Sequence, residues 1–515
     1  MGAYKQLDHL VGELRSPRAQ RMTHSEVEEM IKTEGWELLR RLLQAHVDER
    51  STATVNEAVV GGDGKQRTHE RGHKRDLESI FGTVEVKRTG YGGRAEQSLH
   101  PVDAELNLPP ERYSHTLRRV AAEEGAQNSF DEVVNAINRQ TGAHVPKRQV
   151  EELVVRAAQD FDQFYQQQQQ VGQVQEWGGS DLLIITGDGK GVPMRRQDLR
   201  EQTRKAADRR EPHLEHRRSK GEKPCSKRMG TVAAVYTIAP FVRSPEQIAG
   251  ELSRSEQALP VVRPRPEDKR VWASVQHPPE EIIGQAFEEA AKRDPGREKT
   301  WCALVDGNRT QLKLLKKGAK DHRVDLTIIL DLIHVVEYLW KAAWALHSEG
   351  DKQAEEWVTQ RLLEILRGHS SLVAAGVRRT ATMRGLNRKQ RAPIDKCADY
   401  LLKYRQYLHY GQYLGAGFPI ATGVIEGACR YLVKDRMEKT GARWSLEGAE
   451  AVLRLRSLRA SGDFDDYWRF HLNQEHQRNH ANHYADGKVP ELNHPPSHSG
   501  NRSSLKLVKT RAASS

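Results

Sequence analysis

The sequence predicts an α/β protein, and three observations carry that reading. Apolar runs at 182–186 (LLIIT), 300–305 (TWCALV) and 326–330 (LTIIL) each give way to an aspartate: Asp188, Asp306 and Asp331. Such runs suit strands buried on both faces, and helical periodicity lies between the later ones. From residue 332 to about Gly415 the pattern is helical almost throughout. Strands alternating with helices, with acids closing the strands, place an active site at the carboxyl ends of the strands.

Length and charge bound the function. The chain has 515 residues, 81 Lys and Arg against 70 Asp and Glu, and a net charge of +11. Several domains are expected, and the basic excess suits a polyanionic partner. No run reaches the roughly 18 apolar residues of a membrane span, and the N-terminus lacks the apolar core of a secretory signal. Cys225, Cys302, Cys397 and Cys429 stand far apart, which argues against a disulfide framework or a cysteine zinc site. A soluble, intracellular protein is expected.

Taken in order, Ser25–Glu28 reads as a capping box opening a helix. Residues 61–75 read as a polar, glycine-rich loop. TVEVKRT at 83–89 alternates like a half-buried strand and ends at the turn signal 90–93. A helix-turn-helix is expected near 129–157: a capping box at Ser129–Glu132, Gly142 at the turn, Val145 in the inter-helix core and Pro146 at the next helix start. Lys147, Arg148 and Gln149 then open the second helix, where base and backbone contacts are made in a major groove. Many helical hairpins share this look without touching DNA. The glutamine-rich stretch 166–175 reads as a linker or frayed helix end.

The run 182–186 stops at Gly187-Asp188-Gly189, a strand end or tight turn, with 192–196 as a return strand. Residues 195–228, rich in Arg and Lys and carrying His213 and His216, read as an exposed basic loop. Strands are expected at 229–239 and 270–275 and a helix from Pro278 to Arg293. A short helix carries Glu426, Arg430 and Lys434 after the break at 415–419, and a last amphipathic helix covers 446–459. Beyond about 472 the chain is rich in His, Asn, Pro and Ser, and disorder is expected.

TGDGKGV at 186–192, ALVDGNR at 303–309, DLIHVVEYLW at 331–340, and GVIEGACRYLVKDR with TGARW at 423–444 together resemble bacterial insertion-sequence transposases of the DDE type, the ISKra branch most closely. The resemblance covers roughly 178–470. It implies an RNase H-like catalytic domain with an all-α insertion, preceded by a mainly α N-terminal DNA-binding region. The implied boundaries are 1–177 for DNA binding, 178–340 and 417–470 for the two parts of the core, 341–416 for the insertion and 471–515 for a disordered tail. Carried over position by position, Asp188, Asp306 and Glu426 are the catalytic, metal-binding acids, and Asp331 with His334 matches an accessory D-x-x-H element. The family implies cutting at terminal inverted repeats and joining to target DNA by a homo-oligomer on duplex DNA, in the bacterial cytoplasm at the nucleoid. Some relatives carry an N-terminal cysteine zinc ribbon; this chain has no cysteine before Cys225.

The residue types suit the chemistry. In-line attack on phosphorus is served by two divalent ions, and Mg2+ (or Mn2+) prefers oxygen ligands, so carboxylates without cysteine are the expected set. In an RNase H-like sheet the first and fourth strands are adjacent and the fifth lies one strand further out. With strands about 4.8 Å apart, Asp306 can share a metal with Asp188, whereas Asp331 lies about 10 Å away; Asp306 is therefore favoured. Lys190, Arg195, Arg430 and Lys434 are candidates to hold phosphates. Blander roles stay open: Asp306 and Asp331 as helix caps, Glu426, Arg430 and Lys434 as exposed ion pairs, His334 as a core histidine, and the tryptophans of the insertion as its core rather than a stacking surface for DNA. Another RNase H-like nuclease or integrase, or a catalytically inactive DNA-binding derivative, is the alternative.

Overall fold

The computed structural model describes residues 2–93, 96–170, 182–209, 225–252, 262–348, 350–439 and 441–494. These divide into two units, one built from 1–121, 131–147 and 469–515 and the other from 122–130 and 148–468.

In the first unit, α1 (Gly2–Leu14) packs on α2 (His24–Arg50). The capping box of α2 is Thr23 with Glu26, two residues ahead of the expected Ser25–Glu28, because Thr23 has the extended backbone an N-cap needs. Two strands, β1 (His69–Ser79) and β2 (Gly82–Gly92), form an antiparallel hairpin that turns at Ile80-Phe81. The strand foreseen at 83–89 is thus longer, and much of the loop expected at 61–75 is strand. The outer half of β1 is exposed and polar, so it carries no alternation to read. Leu77, Val84 and Val86 bury against Val47 of α2.

The end of the chain belongs to this unit too. Residues 472–494, expected to be disordered, include most of the second half of a helix, Phe464–Asn479, and a two-residue pairing of Leu492–Asn493 with Thr54–Val55. Tyr484 buries in an apolar cluster with Val59, Tyr91 and Leu99, and ion pairs add to it. Arg118, with no exposed surface, donates to Glu475 (2.6 Å) and meets His471 (3.1 Å), both buried. His498 lies outside the described residues. The expected hairpin helices form as α3 (Phe130–Gln140) and α4 (Lys147–Ala157), and Val145 between them is fully buried. The unit boundary falls at 147/148. Of the glutamine-rich stretch, the part to Gln170 ends the helix Phe161–Gln170, and 171–175 lies outside the described residues.

The second unit is organised on a five-stranded mixed sheet of β3 (Leu182–Pro193), β4 (Lys227–Ile238), β5 (Glu267–Ser274), β6 (Thr300–Val305) and β7 (Leu326–Leu330), in the order β5-β4-β3-β6-β7. β3, β4 and β5 are antiparallel neighbours; β6 and β7 run parallel to β3. Leu183, Ile184, Ile185, Val232, Val235, Ala303 and Leu304 have no exposed surface, as two covered faces require. Gly187-Asp188-Gly189 is not a turn: β3 continues to Pro193, paired with β4 throughout. The GDG triplet lacks apolar side chains, and the sequence pattern therefore breaks where the backbone does not.

Helices cover the sheet. α5 (Pro279–Arg293) packs on β4 and on α6 (Arg309–His322). Then come α7 (Leu332–Ala343), α8 (Lys352–Leu366), α9 (Ser370–Met383), α10 (Arg388–Lys403), α11 (Gly423–Ala428) and α12 (Leu446–Ser461). An edge strand leaves backbone N–H groups needing partners. On β5 and its exit, α12 supplies them: Ser461 accepts from Val271 (3.1 Å), Ser457 from Ala273 (3.3 Å) and Glu450 from Val275 (2.9 Å). Between β7 and α11, Trp357 is buried in the helical core, while Trp344 is 44% exposed and stacks on Trp340 at 5.1 Å between ring centroids. No helix of the described residues is long and apolar enough to cross a membrane.

Candidate active site

The site starts from where β3 loses a neighbour. Its pairing with β6 stops at Thr186–Leu304, while its pairing with β4 runs on to Pro193–Lys227. Asp188, half-buried, therefore stands on a strand held on one side and open on the other. Continuing the β3–β6 register two residues sets Asp188 beside Asp306. The β6–β7 register, ending at Val305–Leu330, likewise sets Asp306 beside Asp331. By this register the three aspartates stand where β6 and β7 end and β3 runs on beside β4 alone, on strands that sheet geometry spaces about 4.8 Å apart.

The three are not equivalent. Asp331 is fully buried and caps α7: Oδ1 accepts from Ile333 (3.3 Å) and Thr422 (3.0 Å) backbone N–H, and Oδ2 from His334 Nδ1 (2.6 Å). Asp306 is half-buried; its Oδ1 accepts from Asn308 N–H at 2.8 Å, and no hydrogen bond reaches its other oxygen among the described residues. Asp188 Oδ1 accepts from Gly189 N–H (2.6 Å) and Oδ2 from the Cys429 thiol (3.2 Å).

Glu426 comes from α11, and Thr422 O–H donates to it at 3.4 Å. Its carboxylate, His334 and Asp331 offer ligand atoms within 4.8 Å of one another, a metal-competent group among the described residues. Neither Asp188 nor Asp306 belongs to that group. Electrostatics ties all five together. Burial, then the charges of Asp331 and Asp188, raise Glu426 above its ordinary range. The hydrogen bond to Asp331 lifts His334 to about 9 against the opposing effect of burial, helped by the charges of Asp331 and Asp306. The pairing with Asp331 therefore favours the protonated ring of His334 in the metal-free chain.

The donor set fits a hard divalent cation. It offers carboxylate oxygens, and an imidazole only once His334 gives up its proton to the metal. Burial, then Asp188, push the Cys429 thiol well above its ordinary range, so it donates a hydrogen bond and supplies no thiolate.

Residues absent from the sequence reading brace this edge. Tyr400 O–H donates to the Asp306 carbonyl (3.1 Å), Tyr404 to that of Gly307 and Tyr410 to that of Leu330 (2.8 Å). Gly307 has φ +92°, which a side chain would strain, and a Cβ there would press on the Tyr404 ring at 3.2 Å. Tyrosines in a helical stretch carry no sequence mark of such a role.

After Glu426 the helix widens into a π segment, Cys429–Lys434, a feature frequent at functional sites. Arg430, 79% exposed, lies 3.7 Å from Asp435 rather than pairing with Glu426 among the described residues. Lys434 is exposed and Lys190 half-exposed on β3. Arg195 is exposed, its backbone N–H bonded to the Trp444 carbonyl (2.8 Å). Lys147 is exposed and paired with Asp131 (2.7 Å); Arg148 and Gln149 both reach Glu152. Within the basic loop, 201–208 is helical, and 210–224 with His213 and His216 lies outside the described residues.

No family model and no curated protein matches the chain. Among solved structures it is similar to the Drosophila P element transposase strand transfer complex, at 8% identity and a TM-score of 0.22, covering 68% of this chain and 79% of that one.

Proposed function

We propose that the chain is a DDE-type transposase of the bacterial insertion-sequence kind, cutting duplex DNA at terminal inverted repeats and joining the ends to target DNA. In this reading the second unit's sheet is RNase H-like; its strand order, third-second-first-fourth-fifth, agrees with that assignment. The observation that carries the proposal is the strand register, which extended past the last pairs aligns Asp188, Asp306 and Asp331, with Glu426 of α11 close to Asp331 and under the charge of Asp188.

Asp188, Asp306 and Glu426 would hold Mg2+ or Mn2+, which when bound activates a water or 3′-hydroxyl and neutralises the leaving oxygen. The chain's own groups do the rest. The Cys429 thiol fixes the Asp188 carboxylate, Asp331 fixes His334 and the start of α11, and Lys190, Arg430 and Lys434 hold phosphates near the acids. Asp331 is a positioning residue because its oxygens already take three hydrogen bonds, whereas Asp306 keeps an oxygen free. A second reading, in which Asp331 replaces Asp306 at the metal, draws on its grouping with His334 and Glu426. Lys147, Arg148, Gln149 and Arg195 contribute to DNA binding, and the enzyme works as a homo-oligomer on its ends in the bacterial nucleoid.

The test is Asp306→Asn with a duplex carrying the element's end and Mg2+. Removing a metal-binding charge is worth several kcal/mol in the transition state, so cleavage falls by about 10^3 or more while end binding persists. Cleavage near the wild-type rate removes Asp306 from the proposed chemistry. Cutting without any joined product favours the nuclease alternative.

A further inference from the structure

The first unit contains a cavity of about 210 Å3 that is unrelated to the acidic row. Its walls include Arg75 of β1, Arg88 of β2, His100, Asn479, His480 and His483. Several of its donors are idle. Arg75 Nε and Nη2, Arg88 Nε and Asn479 Nδ2 are buried atoms with no hydrogen-bond partner among the described residues. Arg75 spends Nη1 on the carbonyls of Pro110 (3.2 Å) and Glu111 (3.5 Å). Arg88 spends Nη1 on Asp103, whose other oxygen is also without a partner.

Charge adds to the case. Burial, then the nearby Arg75, bring Arg88 down to about 10, still cationic at neutral pH. Burial, with the surrounding cations next, holds His100 at about 4, so it is neutral. Burial likewise holds His480 at about 4, and it faces the Leu108 carbonyl at 2.8 Å. Two guanidinium groups thus share the lining with one carboxylate, Asp103, while the charge of Glu111, itself paired with Arg118, also acts on Arg75. Buried donors without partners are costly, and the space far exceeds the roughly 30 Å3 of one water. The unpartnered donors belong to both hairpin strands and to the helix ending at Asn479.

We propose that this cavity binds a phosphate group, Arg75 and Arg88 holding its oxygens from the hairpin and Asn479 Nδ2 donating from the helix. Guanidinium forks match phosphate geometry in a way that lysine does not. The group comes either from a small phosphate ester or from the backbone of a nucleic acid strand, and the proposal stands whether or not the acidic row cuts DNA.

The experiment uses the full chain without divalent metal. Thermal melts are compared in inorganic phosphate and in chloride at equal ionic strength, for wild type, Arg75→Gln and the conservative Arg75→Lys. Wild type is stabilised by phosphate, and its half-saturating concentration rises about tenfold or more in Arg75→Gln, with Arg75→Lys in between. A fluorescent duplex is then titrated against salt. If the ligand is a nucleic acid backbone, the slope of log affinity on log salt shrinks by about 0.9 in Arg75→Gln. If it is a small ester, that slope is unchanged and adenosine monophosphate stabilises wild type as phosphate does. Either result supports the site. Equal behaviour of wild type in phosphate and chloride overturns it, as does equal phosphate stabilisation of all three proteins. If Arg75→Gln does not fold, the wild-type comparison and Arg75→Lys decide.

Discussion

Asp331→Asn tests the pairing of this carboxylate with His334, on which its positioning role rests. Asparagine keeps an acceptor for the Thr422 and Ile333 N–H groups, but its amide turns a donor toward His334 Nδ1–H. The ion pair at 2.6 Å is lost. A rise from 6.5 to about 9 for His334 corresponds to about 3 kcal/mol for a fully shielded ring. With the His334 side chain 34% exposed, screening reduces this to about 1–2 kcal/mol. Because the folded value lies above the unfolded one, the stabilisation is complete below pH 6.5 and is lost as pH rises through about 9. Urea unfolding of the metal-free chain at intervals from pH 6 to pH 10 measures it. Wild type loses about 1–2 kcal/mol more than Asp331→Asn or His334→Gln over that range. Parallel curves for all three proteins refute the pairing of His334 with Asp331.

Three further outcomes test the frame around the site. Burial alone would raise Glu289, and Arg270 (2.6 Å) and Arg293 (2.8 Å) reverse this to hold it at about 2. Glu289→Gln costs about 3–5 kcal/mol at pH 7, and denaturation curves show it losing the part of the wild-type acid sensitivity that falls between pH 4.5 and 2. Gly417 sits at φ +80° with a prospective Cβ 2.7 Å from the Phe241 nitrogen, so Gly417→Ala destabilises by about 2 kcal/mol or more in urea. Arg118→Met takes a buried cation from Glu475 and His471. It costs about 3 kcal/mol and exposes residues 469–494 to limited proteolysis.

The sheet was legible in the sequence because its strands are buried on both faces: unbroken runs such as LLIIT and LTIIL leave little else to form. The acids that follow these runs were legible with them, whereas the adjacency of the first and fourth strands was implied only by the family resemblance. Two features escaped for physical reasons. Gly187-Asp188-Gly189 has the composition of a turn, yet β4 holds it extended through backbone bonds that composition does not report. The segment 472–494 reads as polar and loose because its partners lie far away in sequence: Arg118 for Glu475, and Val59, Tyr91 and Leu99 for Tyr484. The tyrosines that brace Asp306 and Gly307 were hidden likewise, since only the folded chain brings α10 to the end of β6.

Diffraction from crystals soaked in Mn2+, read at the manganese edge, addresses the metal assignment most directly. Manganese bound by carboxylate oxygens of Asp188 and Asp306, with Glu426 in reach, is the result expected. Manganese seated on Asp331, His334 and Glu426 with Asp188 and Asp306 bare would contradict it.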